Sequence, residues 1–399
     1  MPQRFLLVAE GSGGHVIPAL QVAQALSARG ARITLWYAQR QQMVPLAESL
    51  VQEAVDRSIT VEPIALVAPG TVVGRVRQFS QLWQRTARCL TTFAPDVVVG
   101  FGGWISAPVV LAARLRGIRC MLHEQNVVLG RTNRLLSRCV NRVAVSFKET
   151  QATLTHVESV MTGMPIRQRI GECSRAEACR RFSLDPHRAT LLILGGSQGA
   201  RAINRLMVEV AGSVSPHERD AWQVVHLTGH ADAASVQAAY AAHRIRAWVS
   251  PFLVEMEAAY AQADVVVARA GASTLAELAR CGLPAVLIPY PHAGGHQRAN
   301  AELVELMGGG VVIEEAEATS ERTLSAIRRI MTDERLRTMM ATQMRTMSIP
   351  DATERLRDTL MELAATQAAA PSSAPHMSDT LLAHAAPPQA ELVIGESQR

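Results

Sequence analysis

The sequence predicts an α/β protein made of two doubly wound halves, each a parallel sheet covered by helices. Short apolar runs alternate with longer helical stretches along most of the chain. Alanine, valine and leucine dominate, and aromatics make up only 4%. Each half also opens on a strand that runs into a glycine-rich turn and then a helix. Strands that read as continuous apolar runs are buried on both faces, the habit of parallel sheets sandwiched between helices. A chain of 399 residues, 48% hydrophobic, suffices for two domains with separate cores.

In chain order, the first half offers strands at Phe5–Ala9, Arg32–Tyr37, Val97–Val99, Cys120–His123 and Arg142–Val145. Thr162-Gly163-Met164-Pro165 then interrupts the pattern, a strand exit or hinge. The first domain is therefore expected over 1–165 and the second over 166–350. The second half repeats the theme at Thr190–Leu194, Gln223–Leu227, Ala247–Val249, Val265–Val267, Ala285–Ile288 and Val311–Ile313. Pro350 and Asp351 stop the chain and cap a last amphipathic helix over 351–366. The alanine- and proline-rich tail, 367–399, is expected to be disordered.

Composition excludes several classes. No apolar run approaches the roughly 18 residues of a membrane span, and the first ten residues read as a strand rather than a leader peptide. The six cysteines show no CxxC spacing, so neither a zinc site nor a disulfide framework is expected, and a reducing cytoplasm is the natural compartment. Charge is divided unevenly: residues 1–165 hold 17 Lys and Arg against 9 Asp and Glu, the remainder 23 against 26. The first half therefore expects an anionic partner: nucleic acid, phospholipid or a pyrophosphate.

The two glycine turns are Gly11-Ser12-Gly13-Gly14-His15 and Gly195-Gly196-Ser197-Gln198-Gly199-Ala200. Glycines admit a phosphate close to backbone amides, and the helix N-terminus that follows adds positive potential. One such turn also serves tight packing, but two at equivalent places face one cleft at the strand C-termini. Neither is a G-x-x-x-x-G-K-[ST] loop or a full G-x-G-x-x-G, which argues against P-loop NTPases and dehydrogenases. His15 begins the first helix, where the dipole disfavours imidazolium and keeps a neutral ring able to accept a proton.

These turns, with Gly100-Phe101-Gly102-Gly103-Trp104-Ile105-Ser106-Ala107-Pro108, His123-Glu124-Gln125-Asn126 and Ser348-Ile349-Pro350-Asp351-Ala352, resemble the MurG family of N-acetylglucosaminyltransferases. The likeness runs from residue 5 to about 365, with the motifs in order. It implies a GT-B fold, two Rossmann-like domains facing a cleft, and inverting transfer from UDP-N-acetylglucosamine to the lipid-linked muramyl acceptor lipid I. It calls for no cofactor and no divalent metal, and the sequence has no Asp-x-Asp motif to hold one.

By the same resemblance the donor is held by Arg167, Ser197, Leu253, the run Ala272, Ser273, Thr274, Leu275, Ala276 and Glu277, and by Gln297 and Asn300. Ser12, Gly13, Gly14 and Asn126 reach it from the first half. The acceptor meets Gly13, Gly14, His15, Trp104 and Asn126. His15 is the first choice for general base and Glu124 the second, unless Glu124 only orients His15 or Asn126. Trp104 stands where the family has tyrosine, Met164 where it has the asparagine of Gly-Asn-Pro, and Ser12 where it has threonine.

Residues 66–90 mix Leu66, Val67, Val72, Val73, Val76, Phe79, Leu82 and Trp83 with Arg75, Arg77, Arg85 and Arg88 and hold no acid. Eight basic residues follow between 111 and 148, with Glu124 the one acid. Apolar side chains beside arginines suit an anionic membrane surface at the cytoplasmic face, the place of a lipid-linked acceptor. Nucleic acid is a poor fit, since interleaved aromatics and a recognition module are missing. The resemblance adds cell-wall synthesis and division proteins as partners. Alternatives remain a GT-B transferase acting on another lipid or a small molecule, a UDP-N-acetylglucosamine 2-epimerase, and a silent scaffold.

Overall fold

The computed structural model describes residues 2–39, 59–65, 72–196 and 199–368. Leu66, Val67, Ser197 and all but the first two residues of the expected tail therefore lie outside the described residues.

The first unit runs β1 (Arg4–Ala9), α1 (Gly13–Ser27), β2 (Arg32–Gln39), β3 (Ile59–Ala65), α2 (Val72–Thr92), β4 (Val97–Gly100) and α3 (Ser106–Leu115). It continues with β5 (Arg119–Glu124), α4 (Arg131–Leu136), β6 (Arg142–Val145), α5 (Lys148–Ala152) and β7 (Glu158–Met161). The second unit begins with α6 (Arg175–Phe182), β8 (Ala189–Leu194), α7 (Arg201–Ser213), α8 (Pro216–Ala221), β9 (Trp222–Leu227), α9 (Ala233–Ala242) and β10 (Ala247–Ser250). Then come α10 (Met256–Gln262), β11 (Val265–Ala268), α11 (Ala272–Cys281), β12 (Ala285–Leu287), α12 (His296–Leu306) and β13 (Gly310–Val312). Three helices close the described chain: α13 (Ser320–Thr332), α14 (Glu334–Thr346) and α15 (Ala352–Ala368).

Two parallel sheets result, ordered β3-β2-β1-β4-β5-β6-β7 and β10-β9-β8-β11-β12-β13. Each reverses direction beside its first strand, between β1 and β4 and between β8 and β11. Those reversals open a crevice at the strand C-termini, where doubly wound sheets bind ligands. All eleven expected strands are present. Two more were not expected: β3, an edge strand carrying Pro63, and β7, an edge strand with no fully buried residue.

The inner strands are apolar on both faces because helices cover both. Phe5, Leu7 and Ala9 pack toward α1, while Leu6 and Val8 pack toward α3, Val109 and Val110 included. The last helix does not stay with the second unit: Leu356, Leu360 and Leu363 of α15 join the core that α1 and β1 form. The chain thus crosses between the units twice, and the crossings touch. Gly163, at φ +84°, has no room for a side chain, since a Cβ there would lie 2.8 Å from Ile349 and 3.0 Å from Ala352.

The first glycine turn is built on close backbone approach. A Cβ on Gly11 would lie 1.9 Å from the Ala38 carbonyl oxygen, so β2 must shift to admit one. Gly11→Ala should therefore lower stability by roughly 1–3 kcal/mol, the usual range for overpacking, read as a drop in thermal midpoint against wild type.

Candidate functional site

The two switch points meet at Gly14 and Ser273. Ser12, extended at φ −93° and ψ 150°, is the N-cap of α1, and its carbonyl accepts from the amides of His15 and Val16, both at 3.0 Å. The amides of Gly13 and Gly14 precede these and have no partner within the helix. The α1 first turn faces the start of α11: a Cβ on Gly14 would lie 3.8 Å from the Ser273 hydroxyl. There Gly271 is the N-cap and Leu275 N is bonded to its carbonyl at 3.0 Å, which leaves the amides of Ala272, Ser273 and Thr274 at the helix mouth. Neither first turn carries an acid. Two positive helix ends converging on one gap make a site for anions.

The second glycine turn is partly structural. Cβ atoms on Gly195 and Gly199 would strike backbone, at 2.3 Å from Ala200 N and 2.2 Å from Thr228 O, whereas Gly196, at φ +82°, faces open space. Packing thus accounts for two of its glycines.

His15 has a fixed orientation. Its Nδ1 lies 2.6 Å from Ser12 Oγ, and its other edge lies over Gly102, where a Cβ would sit 3.0 Å from Nε2. Gly102, at φ +92°, thus keeps that space open for the ring. Gln125 Oε1 borders the same space at 3.7 Å. Gln125 is 2% exposed, and its Nε2 donates to Phe101 O at 3.0 Å and His123 O at 3.1 Å. Two carbonyl acceptors on one side settle the amide's orientation, and Oε1 meets no donor.

Both carboxylate oxygens of Glu124 are engaged by donors. Oε1 accepts from Asn126 N at 3.0 Å and Asn126 Nδ2 at 3.1 Å, and Oε2 from Gly130 N at 2.9 Å and Asn133 Nδ2 at 2.8 Å. With four donors on a carboxylate 1% exposed, Glu124 organises the loop after β5. That loop reaches the second unit. Asn300, fully buried, donates from Nδ2 to Asn126 Oδ1 and to Ala270 O, both at 3.1 Å, and accepts from Val127 N at 2.9 Å. Asn126 and Asn300 therefore join the units by bonding each other.

Arg167 and Glu277 form an ion pair. Arg167 Nη1 donates to Val254 O at 2.7 Å and Nη2 to Glu277 Oε1 at 3.2 Å, while Tyr260 donates to Glu277 Oε2 at 2.7 Å. Burial disfavours the guanidinium charge, but Glu277, Tyr260 and Glu257 together more than offset it, so the Arg167 pKa is raised. Arg167 is thus placed to position Glu277 and the 253–254 loop. Leu253 is 8% exposed in the core, and its neighbour Val254 is 44% exposed. Gln297, in the first turn of α12, accepts from Tyr290 N at 3.0 Å through Oε1. Trp104 is half-buried in the turn that leads into α3.

Four further residues were not singled out from sequence. Tyr260 is buried and its hydroxyl demands a partner, a signal legible from a tyrosine in a short alanine-rich helix. Gln125 stood inside a quoted motif. Glu10, 7% exposed, lies against Gly103, where a Cβ would fall 2.1 Å from its Oε2. Arg269, 8% exposed, donates to Ile288 O at 3.0 Å and Pro289 O at 3.2 Å, pairs with Glu315, and so fixes the approach to α11.

On the exposed side of the first unit, Val73 and Val76 of α2 are 77% and 65% exposed, and Leu115 and Leu135 of α3 and α4 are 78% and 65% exposed. Arg77, Arg88, Arg131, Arg134 and Arg138 are exposed on the same helices or just after them. Two arginines from the expected set are otherwise engaged: Arg85 pairs with Glu62 at 2.5 Å, and Arg142 with Glu158 at 2.5 Å and Glu362 at 3.0 Å. Leu82 is buried in the core. No described helix is long and apolar enough to cross a membrane.

Two Rossmann-like units that aim helix N-termini into a shared cleft define a GT-B glycosyltransferase. The profile of the glycosyltransferase family 28 N-terminal domain matches residues 5–145 and that of the C-terminal domain residues 190–356. A relative from Desulforamulus reducens is 33% identical over 88% of this chain and 95% of its own length. One from Syntrophotalea carbinolica is 36% identical over 88% and 97%. Both are named UDP-N-acetylglucosamine--N-acetylmuramyl-(pentapeptide) pyrophosphoryl-undecaprenol N-acetylglucosamine transferase. The crystal structure of Acinetobacter baumannii MurG superposes with a TM-score of 0.71 at 29% identity, covering 90% of this chain and all of that one. The chain belongs to glycosyltransferase family 28 and, within it, to the MurG family.

His123 is fully buried, with Nε2 donating to Gly163 O at 3.1 Å and Nδ1 lying 3.0 Å from Gln125 Nε2. Burial pushes its pKa from 6.5 down to about 4. A histidine kept neutral by the fold contributes stability that is complete above pH 6.5 and is lost as pH falls toward 4, about 3 kcal/mol in full. His226, buried and pushed down to about 3, acts in the same direction. His123→Gln should therefore reduce the slope of stability against pH by about one proton between these limits, measured by urea unfolding from pH 4.5 to 7.

Proposed function

We propose that this chain transfers N-acetylglucosamine from UDP-N-acetylglucosamine to the muramyl 4-hydroxyl of undecaprenyl-pyrophosphoryl-muramyl-pentapeptide, giving the disaccharide lipid and UDP. The observation that carries this reading is the meeting of the α1 and α11 N-termini at Gly14 and Ser273, a gap lined by amides and suited to two pyrophosphates. The relatives' printed names supply the substrates.

In this reading the first unit takes the acceptor, with its pyrophosphate on Gly13 and Gly14 and its sugar beside His15 and Trp104. The second takes the donor, its diphosphate on Ser197 and the α11 amides from Ala272 to Ala276. Glu277 accepts from the ribose hydroxyls, held for that task by Tyr260 and Arg167, the latter a positioning residue rather than a diphosphate fork. Leu253 presents backbone to the uracil, and Gln297 reads the sugar. Asn126 and Asn300 sit where the units join, so either meets the sugar only as their mutual bond opens.

The attacking hydroxyl gives its proton to His15 Nε2 as its oxygen bonds the anomeric carbon. The bond from that carbon to the UDP oxygen breaks on the opposite face, which inverts the centre. Ser12 Oγ accepts from Nδ1–H, which leaves the Nε2 lone pair toward the pocket. The helix start disfavours imidazolium and so keeps the base neutral before reaction. The departing UDP charge falls on helix amides, preorganised where it develops. Glu124 positions Asn126 and stays out of the proton transfer.

Labelled UDP-N-acetylglucosamine incubated with lipid I and EDTA should give the disaccharide lipid, with diacylglycerol inert as acceptor. Formation of UDP-N-acetylmannosamine without acceptor would instead identify an epimerase. His15→Ala should lower kcat about 10²–10⁴-fold with donor KM little changed. Glu277→Gln should raise donor KM roughly tenfold or more with a smaller change in kcat, and equal KM values would remove Glu277 from the donor site.

The exposed apolar and arginine-bearing helices α2 to α4 favour an anionic membrane surface, at the cytoplasmic face where this acceptor would lie. Val73→Asp with Val76→Asp should weaken sedimentation with phosphatidylglycerol vesicles at unchanged thermal midpoint. Unaltered sedimentation would place the membrane contact elsewhere.

A further inference from the structure

Along α1 from Gln21 to Arg29, and beside Arg280 near the end of α11, lies a second cavity of about 380 Å³. Its walls are both chain crossings, from Met164 to Gln168 and from Ile349 to Arg357, together with α1 and the end of α11. Apart from Arg167, which holds Glu277, none of its lining residues has a role in the transfer reaction.

The groups that line it converge as donors. Gln24 is 7% exposed; its Oε1 accepts from Gln21 Nε2 at 3.4 Å, which fixes the amide, and its Nε2 meets no acceptor on the protein. Arg167 also lines the cavity. With Nη1 and Nη2 engaged by Val254 and Glu277, its buried Nε–H meets none. Two buried donors unmet at one cavity are costly unless a ligand accepts from them.

Charge favours an anion. Four arginines line the cavity against two glutamates, Glu172 and Glu354. Arg167 is held by Glu277 and Arg357 by Asp358, but Arg29 and Arg280 form no salt bridge among the described residues. Arg29 is close enough to Asp358 to help lower its carboxyl, after the larger effect of Arg357.

We propose that this cavity binds a small tetrahedral oxyanion, inorganic phosphate or pyrophosphate, with Gln24 and Arg167 Nε as inner donors and Arg29 and Arg280 at the rim. A bound anion joins the two crossings to α1 and α11, so it resists separation of the units without entering the reactive cleft.

The test is thermal unfolding of the full chain titrated with phosphate and with pyrophosphate at constant ionic strength, chloride as control and UDP present throughout to fill the cleft. Wild type should show a saturable rise in midpoint with either anion. Arg280→Ala, Arg29→Ala and the volume-conserving Gln24→Met should each weaken the apparent affinity at least tenfold. The exposed arginine variants keep the test valid should Gln24→Met fold poorly. A rise no greater than that in chloride, or one equally strong in the variants, would overturn the proposal, the latter by placing the anion at another site.

Discussion

The structure depends on holding together two helix ends of the same sign. The N-termini of α1 and α11 each carry partial positive charge, and the backbone brings them within contact distance at Gly14 and Ser273. Such a junction is favourable only with negative charge between the ends or with other contacts drawing the units together. The described chain supplies those contacts beside the gap: Asn300 bonds Asn126, Val127 and Ala270 at once, and His296 Nδ1 lies 3.1 Å from Val128 O. Glu124 is the fixed point of that arrangement, because its four donors shape the loop that Asn300 grips. Its carboxylate thereby holds the geometry of the junction.

Much of the fold was legible in the residues, for a physical reason. Strands buried on both faces must be apolar throughout, and the eleven central runs announced themselves. The two that did not, β3 and β7, are sheet edges. Pro63 is tolerated in β3 because no further strand needs its amide, and β7 begins on the exposed Glu158. Edge strands owe their place to a neighbour rather than to their own pattern, so periodicity does not reveal them.

The site was legible in a different measure. Glycine turns carry a local signature, and the places of Gly13, Gly14 and His15 follow from it. Partner choice does not. Arg167, Arg85 and Arg142 each read as a cation available to an anion, and each is engaged by a carboxylate distant in sequence, Glu277, Glu62 and Glu362 among them. Tyr260 and Gln125 act through hydrogen bonds to atoms 17 and 24 residues away or more locally to His123, contacts that exist only once the sheets are assembled. Residue type thus foretells what a side chain can do, and topology decides for whom.

The return of α15 to the first core makes the second unit an insertion in the first, entered near Gly163 and left near Ile349. Two adjacent straps of backbone permit bending about one axis and oppose twist, as a door on two hinges does. They also mark natural joints for exchange. The second unit could be replaced between those points while α1, the first sheet and α15 kept their common interior, so that one wall of the cleft can diversify without re-inventing the other.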